Sequence, residues 1–175
     1  MRMKTLLSIL VAILAFAPLT RAADVTVTIT NIHMCCGKCV KLANKTVASI
    51  DGASSVSDET NRTVVVTAPD SATLQKAVDA LVKAGFYGVS SDDSIKINGE
   101  TGAKGEKVQT LKVKDVHLCC PSCVKAVNKA LKDVPGVTAN TATKGAESFE
   151  VTGDFKDSDV FDALKKAGLT GKVAE

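Results

Sequence analysis

Residues 24–50 read DVTVTITNIHMCCGKCVKLANKTVASI, and the stretch divides into three parts. DVTVTITNI alternates apolar and polar residues, the pattern of a strand buried on one face. HMCCGKC breaks that period. From Val40 onward, Ala43, Val47 and Ile50 recur at helical spacing, so a helix is expected to follow the window directly. The same order returns 84 positions later, where residues 117–123 read HLCCPSC. All six cysteines and both histidines of the chain fall inside these two windows.

The self-match runs well beyond the windows. Val27, Ile29 and Ile32 fall on Leu111, Val113 and Val116, and Gly52 falls on Gly136. Farther along the offset becomes 83, with Val78 on Phe161, Leu81 on Leu164, and Ala84-Gly85 on Ala167-Gly168. The chain therefore holds two related units of roughly 70 residues. In each, strand, helix, short strand, strand, helix and short strand follow in turn. TVVVTA and SFEVTG supply the third elements, and SSVSDE and VTANTA supply the second. SATLQKAVDALVKAG reads as a helix capped by Ser71 and closed by Gly85. FKDSDVFDALKKAG reads as its counterpart, capped by Asp157 or Ser158. The order βαββαβ is the ferredoxin-like arrangement, an α+β class: a four-stranded antiparallel sheet with two helices on one face.

The first 22 residues stand apart. MRMK is basic, LLSILVAILAFA is apolar, and PLTRA ends in a small residue, which together read as a signal peptide with cleavage before Ala23. The expected organisation is a leader over 1–22, a first unit over 23–91, a linker over 92–106 and a second unit over 107–175. Within the Gly- and Ser-rich linker, SIKIN can add a short strand. Export to a periplasmic or extracellular space follows, and there thiols can oxidise. The +3 charge of the chain comes from Arg2, Lys4 and Arg21 in the leader. The remainder is balanced, so it offers no electrostatic footprint for nucleic acid or an anionic membrane. No other apolar stretch approaches membrane length.

Each window lies where a strand ends and a helix begins. Unpaired N–H groups and the positive end of the helix dipole favour thiolate there. Cys36 with Cys39, and Cys120 with Cys123, have the C-x-x-C spacing that serves soft-metal ligation or reversible disulfide chemistry. Disulfides within so short a window close tiny loops and stabilise little. No carboxylate pair, Ser-His-Asp set or phosphate-binding glycine loop is present, so no enzyme activity is expected.

The windows and the elements around them resemble the heavy-metal-associated domain family, in two tandem copies. That family includes copper chaperones, mercury-binding periplasmic proteins and the metal-binding domains of P-type ATPases. Its G-M-x-C-x-x-C loop aligns with both windows. The resemblance implies that Cys36 and Cys39 ligate one metal ion and Cys120 and Cys123 a second, one per domain. It implies that Met34, replaced by Leu118 in the second unit, packs under the loop. It places Phe86 in the loop that approaches the metal, where the second unit has Leu169. This chain departs from the pattern at His33 and His117, which replace the family Gly, and at Cys35 and Cys119. These four residues are candidate extra ligands. Three thiols and an imidazole form a tetrahedral zinc set, whereas two or three thiolates suffice for Cu(I), so Zn(II) and Cu(I) are the expected ions. The implied function is binding, buffering or transfer of such an ion to a metal-transporting or metal-accepting protein. The alternative is an extracytoplasmic thiol–disulfide oxidoreductase using the C-x-x-C pairs. Two sites on one linker sit at high local concentration, which also allows an ion bridging them.

Overall fold

The computed structural model describes residues 23–174, and the expected leader lies outside them. The first unit runs β1 (Val25–Thr30), α1 (Gly37–Ala48), β2 (Ser54–Asp58), β3 (Thr63–Ala68), α2 (Ser71–Lys83) and β4 (Val89–Ser90). The second runs β5 (Lys107–Lys114), α3 (Pro121–Lys132), β6 (Val137–Asn140), β7 (Ser148–Lys156), α4 (Asp157–Lys166) and β8 (Lys172–Val173). Each is βαββαβ, with antiparallel sheets ordered β2-β3-β1-β4 and β6-β7-β5-β8. The α+β ferredoxin-like fold expected from the repeat is the fold observed.

Alternation along the strands fills each core. Val27 and Ile29 on β1 and Val64, Val66 and Ala68 on β3 point inward and are buried. They meet Ala43 and Val47 of α1, and Leu74, Ala77, Val78 and Leu81 of α2. The second core repeats this with Val113, Val127, Leu131, Val151, Val160, Phe161 and Leu164. Burial of these side chains is the main source of stability for each unit.

Some local expectations are corrected. α2 is capped by Asp70, whose carboxylate accepts from the Thr73 N–H at 2.7 Å, and Ser71 is the first helical residue. Asp157 and Ser158 lie inside α4, and Lys156 holds the cap position. SIKIN forms no strand: Ile95 is buried in the core, and Lys96 exchanges main-chain hydrogen bonds with the Gln75 amide at 2.8 Å. An apolar residue inside a polar stretch here anchors a loop. The rest of the linker is also tied down. Lys104 and Gly105 donate their N–H groups to the buried Asp157 carboxylate at 2.8 and 2.7 Å, and Thr101 accepts from the Val173 N–H at 2.8 Å.

The topology sets up the site. β1 and β5 are central strands, and each runs straight into its cysteine window. β4 pairs with β1 through Thr30 and Val89, which draws the Gly85–Gly88 loop alongside the window; β8 does the same for Gly168–Gly171. The two units meet at these ends.

Candidate metal centre

Gly85 and Gly168 make the contact between the units. Both have left-handed φ, +86° and +80°. A Cβ on Gly85 would lie 2.5 Å from the His117 backbone nitrogen, and one on Gly168 would lie 2.5 Å from that of His33. Only glycine permits that backbone and that approach. Reciprocal hydrogen bonds follow: Tyr87 N–H to Gly168 O at 3.1 Å, and Thr170 N–H to Gly85 O at 3.0 Å. Phe86 and Leu169 face each other in an antiparallel bridge. Arg62 of the first unit donates to Ala167 O, at the C-terminus of α4, at 3.4 Å.

This contact brings the two windows together. Cys36 and Cys120 are the N-caps of α1 and α3, with extended backbone, and each carbonyl accepts the first helical N–H from Cys39 or Cys123, at 2.9 and 3.1 Å. Neither helix has an acidic residue in its first turn, so nothing offsets the positive dipole facing the sulfurs. Pro121 at the start of α3 presets the helical φ.

All eight residues singled out from the sequence converge. Within windows, Cys36 and Cys39 sulfurs are 3.9 Å apart and Cys120 and Cys123 sulfurs 3.5 Å. Across windows, Cys35 lies 3.3 Å from Cys120 and 3.5 Å from Cys123, and Cys39 lies 3.7 Å from Cys119 and 4.0 Å from Cys123. A disulfide needs about 2.05 Å, so these are free thiols at ligand-edge spacing. A tetrahedral ion with bonds near 2.3 Å to sulfur requires sulfur–sulfur edges of about 3.8 Å. Cys39, Cys119 and Cys123 match this, with edges of 3.7, 3.7 and 4.0 Å.

The histidines complete the donor set. Both are buried, and neither Nε2 has a hydrogen-bond partner. Buried polar nitrogens rarely go unpaired unless a ligand takes them. A ring nitrogen of His117 lies within 4.8 Å of the Cys39, Cys119 and Cys123 sulfurs, and one of His33 lies within 4.8 Å of Cys35 and Cys123. Phe86 packs on the His117 ring at 4.6 Å between centroids. Burial holds His33 below its ordinary pKa, so the imidazole stays neutral and keeps a lone pair to donate.

The thiols divide their protons unevenly. The Cys123 thiol donates to Cys39 and, against burial, brings it down to about 2, with His117 and Cys35 helping. The same contact and then burial push Cys123 up. Burial pushes Cys35 up, and Cys119 up to about 12. For Cys120 burial acts upward too, but the Cys123 N–H and the neighbouring sulfurs outweigh it and set about 6. Anionic sulfur is thus held among protonated neighbours, and a cation entering the cluster would displace those protons.

The sequence reading put one ion on each window and allowed an ion bridging them; in the structure the two windows lie against each other in one cluster. Cys39, Cys120 and Cys123 are buried, while Cys35, Cys36 and Cys119 are half-buried at the rim. Met34 and Leu118 are buried beneath the loops. Gly85, Gly168 and Arg62 were not foreseen as parts of the site. The signal for the two glycines was the recurrence of GFYG at 85–88 as GLTG at 168–171; Arg62 had none.

No family model and no curated protein matches the chain. Among solved structures, it is similar to a copper binding domain from HMA7, a P-type ATPase, with 21% identity and a TM-score of 0.36, over 39% of this chain and 96% of that one. It is also similar to the N-terminal soluble domains of Bacillus subtilis CopA, with 16% identity and a TM-score of 0.31, over 87% and 95% of the two chains. Similarity at this level says nothing of what this chain binds.

Proposed function

We propose that this chain is an exported metal-binding protein that takes up a soft or borderline ion, Zn(II) or Cu(I), between its two units and yields it to an acceptor protein. The observation that carries this reading is the convergence of six free thiols and two buried imidazoles from both windows, at the spacing of metal ligands. Free thiols at this spacing are chemically demanding: packed together they need protons or a cation to divide them. Binding, with no catalytic step, accounts for every residue of the cluster. Export rests on the leader pattern. Among the described residues no helix is long and apolar enough to cross a membrane. The half-buried Cys36 at the rim offers a sulfur that an acceptor's cysteine can reach to exchange for the ion.

The test is metal content with thiol count, on protein taken from its native compartment without reductant. Bound zinc or copper, with thiols that resist alkylation until a chelator is added, is the expected result. Metal-free protein with oxidised C-x-x-C pairs would overturn the reading and favour the thiol–disulfide oxidoreductase.

A further inference from the structure

Six thiols and two imidazoles exceed the needs of one four-coordinate ion. A single ion on four of them would leave the other sulfurs packed together with only protons to divide them. The donors fall into three overlapping groups, and two of these share no member; the third, His33 with Cys35 and Cys123, touches both, and Cys35 also lies 3.5 Å from Cys39. Cys39, Cys119, Cys123 and His117 lie mutually within 4.8 Å, and so do Cys35, Cys36 and Cys120. Each group draws on both windows, and together they use every cysteine in the chain.

The groups differ in chemistry. The first is three sulfurs and one nitrogen, a closed tetrahedral set suited to a divalent ion of the zinc class. The second is three sulfurs without an imidazole, with Cys120 3.3 Å from Cys35 and 3.8 Å from Cys36, a set suited to a soft monovalent ion. The repeat would make the two ends alike if its two-fold relation held here. It does not: Cys35 contacts Cys120, while the equivalent pair, Cys119 and Cys36, makes no such contact among the described residues. His33 stands at the seam, near Cys35 of one group and Cys123 of the other.

Resting on the metal-binding reading above, we propose that the centre holds two ions of different kinds. A tetrahedral divalent ion sits on Cys39, Cys119, Cys123 and His117, and a soft monovalent ion on Cys35, Cys36 and Cys120. Both ions therefore bridge the units, and neither belongs to one window. Each sulfur that is still protonated when it enters a site releases its proton to solvent, so no redox step is involved.

The test loads the reduced chain, without oxygen, with one equivalent of Co(II) and then one of Cu(I). Cobalt in the first site gives intense tetrahedral d–d absorption, and Cu(I), a closed-shell ion, adds none. The expected result is a cobalt spectrum that survives copper addition, with one cobalt and one copper per chain by native mass spectrometry. The double variant Cys39→Ser/Cys119→Ser loses the cobalt bands and keeps the copper. Cys36→Ser/Cys120→Ser does the reverse. His117→Gln, which spares the thiols, shifts the cobalt bands and leaves copper unchanged. Loss of the cobalt bands on copper addition means one shared site and overturns the proposal. If each double variant dims both signals, the ions follow the windows, and the proposal again fails while metal binding stands. A chain that takes up neither probe removes metal binding itself.

Discussion

The two units carry the same cysteines and histidines in different surroundings. In the first, Gly37 opens α1 and Cys36 is half-buried; in the second, Pro121 opens α3 and Cys120 is buried. The first unit sends Phe86 across to cover His117, whereas the second sends Leu169, which has no ring to offer His33. Arg62 reaches from the first unit to the end of α4. The cysteine and histidine positions are therefore common to both units, while the residues that shield them are not. The second window is enclosed by the first unit's loop, and the first window keeps the more open rim.

The largest effect should come from the residues that make the units meet. Gly85→Ala and Gly168→Ala each place a Cβ in left-handed backbone and against the other unit's histidine nitrogen. Left-handed backbone alone costs about 1–2 kcal/mol for an L-residue, and the close contact adds to it, so a loss of about 2–4 kcal/mol is expected. Thermal unfolding of the two variants measures it, and the rate of metal release to a chelator should rise in both. A variant that keeps wild-type stability and release would break the docking of the two units as described. If only Gly85→Ala speeds release, the second window dominates retention and the comparison sharpens.

The repeat and the fold class were legible in the sequence, and so was the confinement of every cysteine and histidine to two windows. They rest on local signals: alternation in β1, helical spacing after Cys39, and residue types confined to two windows. The joining of the windows was not legible. It depends on the backbone of Gly85 and Gly168 and on main-chain hydrogen bonds between units, which no side-chain pattern encodes. The linker misled for a similar reason. Ile95 and Asp157 hold it by contacts to residues distant in sequence, and composition alone read those stretches as free.

A smaller effect should follow from exchanging the covering residues. Phe86→Leu makes the first unit resemble the second and removes the ring from His117. The loss of aromatic contact and of packing volume is expected to cost roughly 1–2 kcal/mol, a few degrees in Tm. Leu169→Phe tests the converse, and because Leu169 is fully buried, overpacking should make it destabilising as well. Stability retained in Phe86→Leu would mean that the ring shields nothing.

The smallest expected effect is a pH dependence of stability carried by His33. His33 is held below its ordinary value of 6.5, chiefly by burial, with Arg62 and His117 acting in the same direction and Cys39 opposing. Below about pH 6.5 the unfolded chain takes up a proton at this position that the folded chain resists. The unfolded state then binds more protons, so stability rises with pH across this window and falls as pH drops through it. Urea midpoints of the reduced, metal-free chain at pH 5 and pH 7 give the slope. His33→Gln should flatten it, because Gln keeps the polarity and removes the titration. Equal slopes in the wild-type chain and the variant would mean that His33 is protonated as readily in the folded chain as in the unfolded one. The imidazole would then lose the neutrality that makes it a donor beside Cys35 and Cys123, and the first window would be left with thiols alone.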